Sequence, residues 1–271
     1  MKNTIAFPGL SLEFEINRIA FEVFGRPIYW YAIIIAAGFL LAVFYGMARA
    51  REFKTNDDEI TGMLVFSVPL AIICARLYYV IFNIEPYLRD PISILYIWEG
   101  GIAIYGAIIG AVIGASLYCR INKISITRFL DIGALGLMIG QSIGRWGNFV
   151  NAEAFGGVTS LPWRMVINGG AGVHPTFLYE SLWNALGFVL LHFYSKKRKF
   201  DGEVFVLYAI WYGLGRAVIE GLRSDSLYLF NTGIRISQAL GLLTAIFGII
   251  YLILKYKRIK RRKSKNECSD N

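Results

Sequence analysis

The chain has 271 residues, of which 56% are apolar, 15% are aromatic and only 17% are charged. An ordinary soluble domain carries about 25% charged residues, so this composition excludes a soluble fold and predicts an integral membrane protein. A helix needs about 20 apolar residues to cross the hydrocarbon layer, which leaves room for about six to eight crossings.

The net charge of +9 is unevenly distributed. Eight of the 28 basic residues lie between Lys255 and Lys265, directly after an apolar run. Such a cluster is typical of a topology signal beside acidic lipid. The chain shows no recognised nucleic-acid motif, so we predict no nucleic-acid binding. The three cysteines are scattered and odd in number, which does not make a disulfide framework.

Residues 1–27 come first and have no continuous apolar core, since three glutamates interrupt them. We therefore expect no cleavable signal peptide here. Apolar and polar residues alternate from Leu12 to Ile16. That spacing predicts a short strand, or an arm that lies at the membrane surface.

Seven apolar stretches follow and predict helices. They cover roughly residues 28–48, 60–82, 102–119, 129–145, 175–194, 203–221 and 236–255. Only helices or closed barrels satisfy every backbone group in lipid, and these runs are too long for the alternating strands of a barrel. The predicted fold class is an all-α integral membrane protein with about seven transmembrane helices and a small extracellular arm and cap.

The basic residues set the predicted orientation. With the N-terminus outside, eighteen of them fall in cytoplasmic segments and seven in outer segments, as the positive-inside rule expects. An odd number of crossings then places the C-terminus in the cytoplasm. We predict a single transmembrane catalytic domain over residues 1–256, with an extracellular arm (1–27) and an extracellular cap (about 146–174). A basic cytoplasmic tail follows over residues 257–271.

An arginine inside an apolar stretch costs about 2.5–3.5 kcal/mol on insertion scales, so each one needs an explanation. Arg145 ends the fourth stretch, and Gly144 and Gly147 flank it. We expect the two glycines to let the backbone approach a ligand closely. Polar side chains follow at Asn148, Asn151 and Glu153. A snorkelling arginine at the interface is the alternative, but the polar cluster favours a ligand site.

Arg216 lies in the sixth stretch, on the same helical face as Tyr212 and Glu220. Arg216 and Glu220 are also consistent with a purely structural ion pair. Arg223 follows three residues later and, together with Arg145, leaves an excess of positive charge. The planar guanidinium group matches phosphate oxygens, so the excess charge indicates a site for an anionic headgroup.

Three further residues have two interpretations each. Arg76 either pairs with a carboxylate such as Glu99 or Asp131, or binds a ligand. His174 is either a base, a role for which histidine side chains in general are suited, or a structural residue, and a structural hydrogen bond is the favoured role. Tyr105 either packs in the core or places its phenol in a polar cavity. No P-loop, His/Cys metal set, Gly-x-Ser-x-Gly elbow or dinucleotide fingerprint is present, so we predict no metal and no nucleotide.

The segment Gly144-Arg145-x-Gly147-Asn148-Phe149-x-Asn151-x-Glu153 resembles the signature of the prolipoprotein diacylglyceryl transferases. The resemblance extends along nearly the whole chain. Matching segments occur in the same order at Tyr29–Tyr31, Arg76, Trp98–Gly106, Asp131, His174–Glu180 and Tyr212–Arg223.

The resemblance implies a transferase of the bacterial cytoplasmic membrane, with its site near the outer leaflet. It implies that diacylglyceryl moves from phosphatidylglycerol to the lipobox cysteine thiol of prolipoprotein signal peptides, in the first step of lipoprotein maturation. A thioether forms, glycerol 1-phosphate leaves, and no cofactor takes part. Another phosphatidylglycerol-using transferase and a membrane lipid or anion transporter are the alternatives. The full signature disfavours the first, and the lack of paired half-repeats disfavours the second.

The resemblance also implies residue roles. Arg145 and Arg216 match the family's essential arginines and form a phosphate clamp, and Asn148 and Glu153 orient either the clamp or the headgroup. Residues expected to bind the lipid as well are Tyr31, Tyr212, Glu220 and Arg223. Many relatives have a histidine, proposed as the base, where this chain has Tyr105. A phenol of pKa about 10 is a poor base for a thiol. We therefore expect either that Tyr105 donates a hydrogen bond or that the thiolate forms near the arginines without a dedicated base.

Overall fold

The computed structural model describes residues 2–224, 228 and 233–269, without the side chains of Glu99 and residues 263–269. The chain divides into two compact units. The first unit combines Met1–Gly46 with Asp131–Asn271, and the second is Met47–Leu130.

Within the described residues, eight α-helices follow one another along the chain. They are α1 (Trp30–Arg49), α2 (Asp57–Phe82), α3 (Ile84–Arg89), α4 (Ile104–Ile121), α5 (Ile126–Asn151), α6 (Thr176–Ser195), α7 (Glu203–Ile219) and α8 (Ile236–Ser269). All except the short α3 correspond to the seven predicted stretches. The predicted class of a multi-helix membrane protein is therefore confirmed.

Six of the described helices are long and apolar enough to cross a membrane. They are α1, α2, α4, α5, α7 and α8. The helix α6 has the length but a lower mean hydropathy, because polar residues lie along its buried face. These are Thr176, Glu180, Ser181, Asn184 and Ser195.

Six short strands form the polar end of the first unit. They are β1 (Lys2–Phe7), β2 (Leu12–Asn17), β3 (Ile19–Val23), β4 (Arg26–Tyr29), β5 (Met165–Ile167) and β6 (Gly172–Val173) in the described chain. Antiparallel pairing gives a four-stranded sheet in the order β2-β1-β5-β6, and β3 and β4 form a hairpin. The strand predicted around residues 12–16 is confirmed, and the predicted arm and cap share one sheet.

The sheet has a small hydrophobic core that reaches the helices. Ile5 and Met165 are 0% and 1% exposed, and Phe177 of α6 is buried with them. Phe149 of α5 packs against the same cluster, with its ring centroid 4.8 Å from that of Phe177. The sheet therefore holds the ends of α5 and α6 together.

The helix α5 is longer than the sequence predicted. We expected it to end at Arg145, but it continues to Asn151, so the first residues of the predicted cap are helical. The extra turn is stabilised by Phe149, whose partly buried ring packs against the sheet core. The helix then ends at Ala152, whose φ of 53° is left-handed and incompatible with a further turn.

Asp131 fixes the start of α7 from within the first unit. Its carboxylate is 0% exposed and accepts hydrogen bonds from the backbone N–H groups of Gly202 (2.8 Å) and Phe205 (2.9 Å). These N–H groups have no acceptors within their own helix, so the buried carboxylate supplies their acceptors. Its negative charge also interacts favourably with the positive end of the helix dipole.

In the second unit α4 packs closely on α2. A Cβ atom on Gly106 would lie 2.6 Å from the Cβ atom of Tyr78 and 2.8 Å from the Cα atom of Ala75, so only glycine fits there. This agrees with the close packing expected of small residues at helix interfaces in membranes.

Candidate active site

A buried carboxylate brings three arginines together in the first unit. Glu180 lies on α6 and its side chain is 4% exposed. Its Oε2 atom pairs with Arg145 of α5, and its Oε1 atom lies 3.2 Å from Nη1 of Arg216 on α7. Nη1 of Arg223 is 3.4 Å from the same Oε1 atom. Three of the predicted site residues therefore share one partner.

Glu180 was not predicted as a site residue. The signal was present, because a carboxylate one turn inside an apolar helix is costly unless it is paired. Its partners on α5 and α7 are 35 and 36 residues away in sequence, so their approach depends on how the helices pack.

Glu220 completes the cluster. It is 2% exposed and pairs with Arg216 through the i, i+4 spacing that the sequence predicted. Arg235 donates to the backbone carbonyl of Glu220. The carboxylates of Glu180 and Glu220 balance two of the three clustered arginines, so these five side chains carry a net charge of +1. The guanidinium of Arg235 and the carboxylate of Glu153 lie beside them. A partly buried site with this charge is suited to an anion, and arginine binds phosphate oxygens in a bidentate manner.

Asn148 and Glu153 form a chain of hydrogen bonds beside Arg145. Nη1 of Arg145 lies 3.4 Å from Oδ1 of Asn148, and Nδ2 of Asn148 donates to Oε1 of Glu153 at 3.0 Å. Nδ2 of Asn151 donates to the same Oε1 atom at 3.2 Å. Asn148 therefore links Glu153 to Arg145, and amide groups hold this end of the cluster.

The glycines that flank Arg145 accommodate α1. A Cβ atom on Gly147 would lie 2.7 Å from the ring of Tyr31, and one on Gly144 would lie 3.1 Å from Cδ1 of Ile35. The expectation that these glycines admit a ligand is therefore wrong, because α1 side chains fill the space. The ring of Tyr31 is nevertheless next to the turn that carries Arg145.

A small cavity borders the cluster on its inner side. Its volume is about 10 Å³, close to that of one water molecule. The lining residues are Glu180, Trp183, Asn184, Tyr212, Gly215, Arg216 and Ile219. Oδ1 of Asn184 is buried and has no hydrogen-bond partner among the described residues. The ring of Tyr212 stacks on Tyr208, with centroids 5.9 Å apart, and faces this cavity.

Comparison with known proteins identifies the family. A family model described as prolipoprotein diacylglyceryl transferase matches residues 18–254. The chain belongs to this family. A relative from Enterococcus faecalis, named phosphatidylglycerol–prolipoprotein diacylglyceryl transferase, is 43% identical over 92% of this chain and 97% of its own length. Relatives of the same name from Oceanobacillus iheyensis and Clostridioides difficile are 45% and 39% identical, over 91% and 94% of this chain and 91% and 100% of their own lengths.

The family and the apolar helices together make this a multi-pass membrane transferase. The predicted family membership is confirmed. Buried arginines alone would be consistent with a transporter as well as with a transferase. The family match favours the transferase.

Tyr105 belongs to the second unit of this transferase. It lies in the first turn of α4 and is 60% exposed. Its ring centroid is 6.3 Å from that of Tyr78, at an interplanar angle of 37°. A phenol this exposed is not a core residue, and its role as a hydrogen-bond donor stays a prediction.

Arg76 binds backbone carbonyls. The side chain is buried, and its Nε, Nη1 and Nη2 atoms donate four hydrogen bonds of 2.7–2.9 Å. The acceptors are the carbonyl oxygens of Ser93, Ile94, Gly100 and Gly101. The guanidinium also lies 5.1 Å from the ring centroid of Tyr87. These hydrogen bonds hold the loop before α4. Of the two carboxylates that the sequence offered as partners, Asp131 binds backbone N–H groups at the start of α7, and the side chain of Glu99 lies outside the described residues. A ligand role for Arg76 stays a prediction.

His174 has the structural role that the sequence favoured. Its backbone N–H donates to Gly157, and its carbonyl accepts from Gly156. Its Nδ1 atom is 3.4 Å from the hydroxyl of Tyr179, which also accepts from the indole of Trp163 at 2.8 Å. These contacts order the segment that leads into α6.

Proposed function

We propose that this protein transfers the diacylglyceryl group of phosphatidylglycerol to the lipobox cysteine thiol of prolipoproteins. The names of the relatives supply the lipid donor and the protein acceptor. The observation that carries the proposal is the Arg145–Arg216–Arg223 cluster on Glu180, because its net positive charge lies at the end of apolar spans. A lipid phosphate is the anion that reaches such a position from the bilayer.

The substrate thiol is the nucleophile in this reaction, so the enzyme mainly has to stabilise the negative charge that develops on the leaving phosphate. The substrate sulfur attacks a glycerol carbon of the lipid, and the bond from that carbon to the phosphate oxygen breaks. The bonding electrons remain on that oxygen, glycerol 1-phosphate leaves, and the thiol proton passes to the departing phosphate or to water. Negative charge therefore accumulates on the phosphate, where preorganised guanidinium groups stabilise it strongly.

Arg145 and Arg216 are the proposed catalytic clamp. Each already has one carboxylate partner or more, and a guanidinium group has five N–H donors, so donors remain for phosphate oxygens. Glu180 is a positioning residue, because it orients both arginines. Asn148 and Glu153 orient Arg145, whereas Tyr31, Tyr212, Glu220 and Arg223 border the headgroup.

The cluster also bears on how the thiol loses its proton. Nearby cationic groups lower the pKa of a thiol, so the thiolate forms more readily beside the arginines. In this proposal Tyr105 donates a hydrogen bond and is not the base. The membrane is the bacterial cell membrane, with the N-terminus and the site at its outer face, the C-terminus in the cytoplasm and phosphatidylglycerol entering laterally.

Headgroup release tests this function. Purified protein in micelles of phosphatidylglycerol labelled in the head glycerol is incubated with a lipobox peptide. We expect labelled glycerol phosphate and a thioether on the peptide in equal amounts, and neither product with a peptide whose cysteine is replaced by serine. Release without peptide would indicate a different phosphatidylglycerol-using transferase. Lipid movement without release would indicate a transporter.

A further inference from the structure

An apolar groove lies between α5 and α6, along the part of α5 that precedes Arg145. It has a volume of about 190 Å³. Its lining residues are Met138, Ile139, Ser142 and Ile143 of α5, and Ala185 and Phe188 of α6. We refer to it as the α5–α6 groove. We propose that it holds part of one acyl chain of the donor lipid, an inference that rests on the proposed function.

The distance between the groove and the cluster matches the dimensions of a phospholipid. Ser142 and Met138 precede Arg145 by three and seven residues, which is about 4–11 Å along a helix with a rise of 1.5 Å per residue. The layer that contains the lipid headgroups and the interface is about 5–8 Å thick in each leaflet. A phosphate at Arg145 therefore brings the beginning of an acyl chain to the level of the groove.

The polarity of the site changes in the order that a phospholipid requires. The charged residues Arg145 and Glu180 come first. A band of serines follows, in which Oγ of Ser142 donates to the carbonyl of Ser181 at 2.9 Å and Oγ of Ser181 donates to that of Ser142 at 2.8 Å. The apolar groove comes last. Phosphate, ester and hydrocarbon occur in the same sequence along the lipid.

The groove has an entrance and an end. On α6, Leu182 and Leu186 are 59% and 51% exposed, so the surface beside Ala185 faces the membrane and a chain can enter sideways. At the far end the ring of Phe188 packs on Tyr45 of α1, with centroids 5.1 Å apart. A chain that enters beside the serines therefore meets a wall after a limited length.

If the groove holds an acyl chain, a substitution that fills it should raise KM for long-chain lipids and leave KM for short-chain lipids unchanged. Ala185→Phe places a ring in the groove, whereas Leu186→Phe places the same ring on the neighbouring membrane-facing position as a matched control. We expect Ala185→Phe to raise KM for dipalmitoyl phosphatidylglycerol about tenfold, because excluding two methylenes from an apolar site costs roughly that factor. KM for the dibutanoyl lipid stays at the wild-type value, since four carbons do not extend past Ala185.

Several outcomes would contradict the proposal that the groove holds an acyl chain. Unchanged KM for both lipids means that it is a packing gap, and an equal loss for both means that the ring disturbs the cluster. A rise in KM for the lipobox peptide alone means that the peptide occupies it. A wild-type protein that releases no glycerol phosphate from either lipid contradicts the proposed function itself.

A second measurement needs no turnover and no variant. Phosphatidylglycerol with a photoreactive diazirine midway along one acyl chain is bound to the full-length protein, irradiated, and the adducts are mapped. We expect adducts within residues 138–143 and 185–188, and competition by unlabelled phosphatidylglycerol. Adducts confined to other surfaces would overturn the proposal even if transfer is normal.

Discussion

Glu180 is the residue on which the geometry of the arginine cluster depends. Removing one partner of a buried ion pair typically costs about 3–5 kcal/mol, because a charge is left without compensation. We therefore expect Glu180→Ala to lower the free energy of unfolding by about 3 kcal/mol and to abolish transfer. The exposed Glu153→Ala variant is the control and retains stability. Thermal unfolding in detergent measures both, and equal melting temperatures would contradict the central role of Glu180.

The two clamp arginines differ from Glu180 in what their loss removes. We expect Arg145→Ala and Arg216→Ala each to abolish thioether formation, since the developing phosphate charge loses its donors. Arg145→Lys is also severely impaired, because an ammonium group cannot make bidentate contacts. The exposed Arg26 in β4 provides a matched control, and Arg26→Ala keeps its activity. Near-normal transfer by either clamp variant in folded protein would exclude the clamp.

Tyr105 offers a test of how the thiol is deprotonated. If the phenol donates one hydrogen bond, Tyr105→Phe costs on the order of 1–3 kcal/mol, or roughly a 5- to 150-fold loss of rate. The pH–rate profiles of wild type and variant in phosphatidylglycerol micelles measure this. Recovery of a much deeper loss at alkaline pH would show that the phenol is the base, because hydroxide then ionises the substrate thiol. Wild-type activity would leave Tyr105 outside the chemistry.

At the scale of elements, the four-stranded sheet supports the site from outside the membrane spans. Phe149 and Phe177 lie in its core, one turn from Arg145 and Glu180 respectively. Removing the side chain of the fully buried Ile5 typically costs about 2–5 kcal/mol. We expect Ile5→Ala to lower the melting temperature and to reduce transfer, because the ends of α5 and α6 lose their support.

The sheet offers its own control for this experiment. Leu12 on β2 is 46% exposed, so Leu12→Ala is expected to change neither stability nor transfer. Intrinsic fluorescence of the tryptophans during thermal unfolding reports the stability. If Ile5→Ala melts earlier but transfers at the wild-type rate, the sheet stabilises the fold without positioning the site.

At the scale of the whole molecule, the orientation in the membrane is a prediction from charge. Reporter fusions are expected to place residue 52, residue 198 and the C-terminus in the cytoplasm, and residue 160 outside. The physical reason is that the segments around residue 52, residue 198 and the C-terminus are rich in basic residues, and such segments are retained on the cytoplasmic side. If residue 160 were found in the cytoplasm, the predicted orientation would be wrong, and the arginine cluster would lie at the inner face of the membrane.

The sequence by itself determined the features that depend on neighbours along the chain. Seven apolar stretches gave seven long helices, because each must satisfy its own backbone in lipid. The Arg216–Glu220 pair followed from its i, i+4 spacing. The composition around Arg145 also marked the region in which the arginine cluster lies, since charge is rare and costly within a membrane span.

Only the tertiary structure decided which distant groups meet. Glu180 contacts Arg145, Arg216 and Arg223 because the packing of α5, α6 and α7 turns these side chains toward one another. The pairing of β1 with β5, more than 150 residues apart, likewise forms the sheet whose core packs against Phe149, in the part of α5 that continues past Arg145. The periodicity of apolar residues specifies the buried face of each helix. The rotation of one helix against the next depends on side-chain packing, which cannot be predicted from a local sequence pattern.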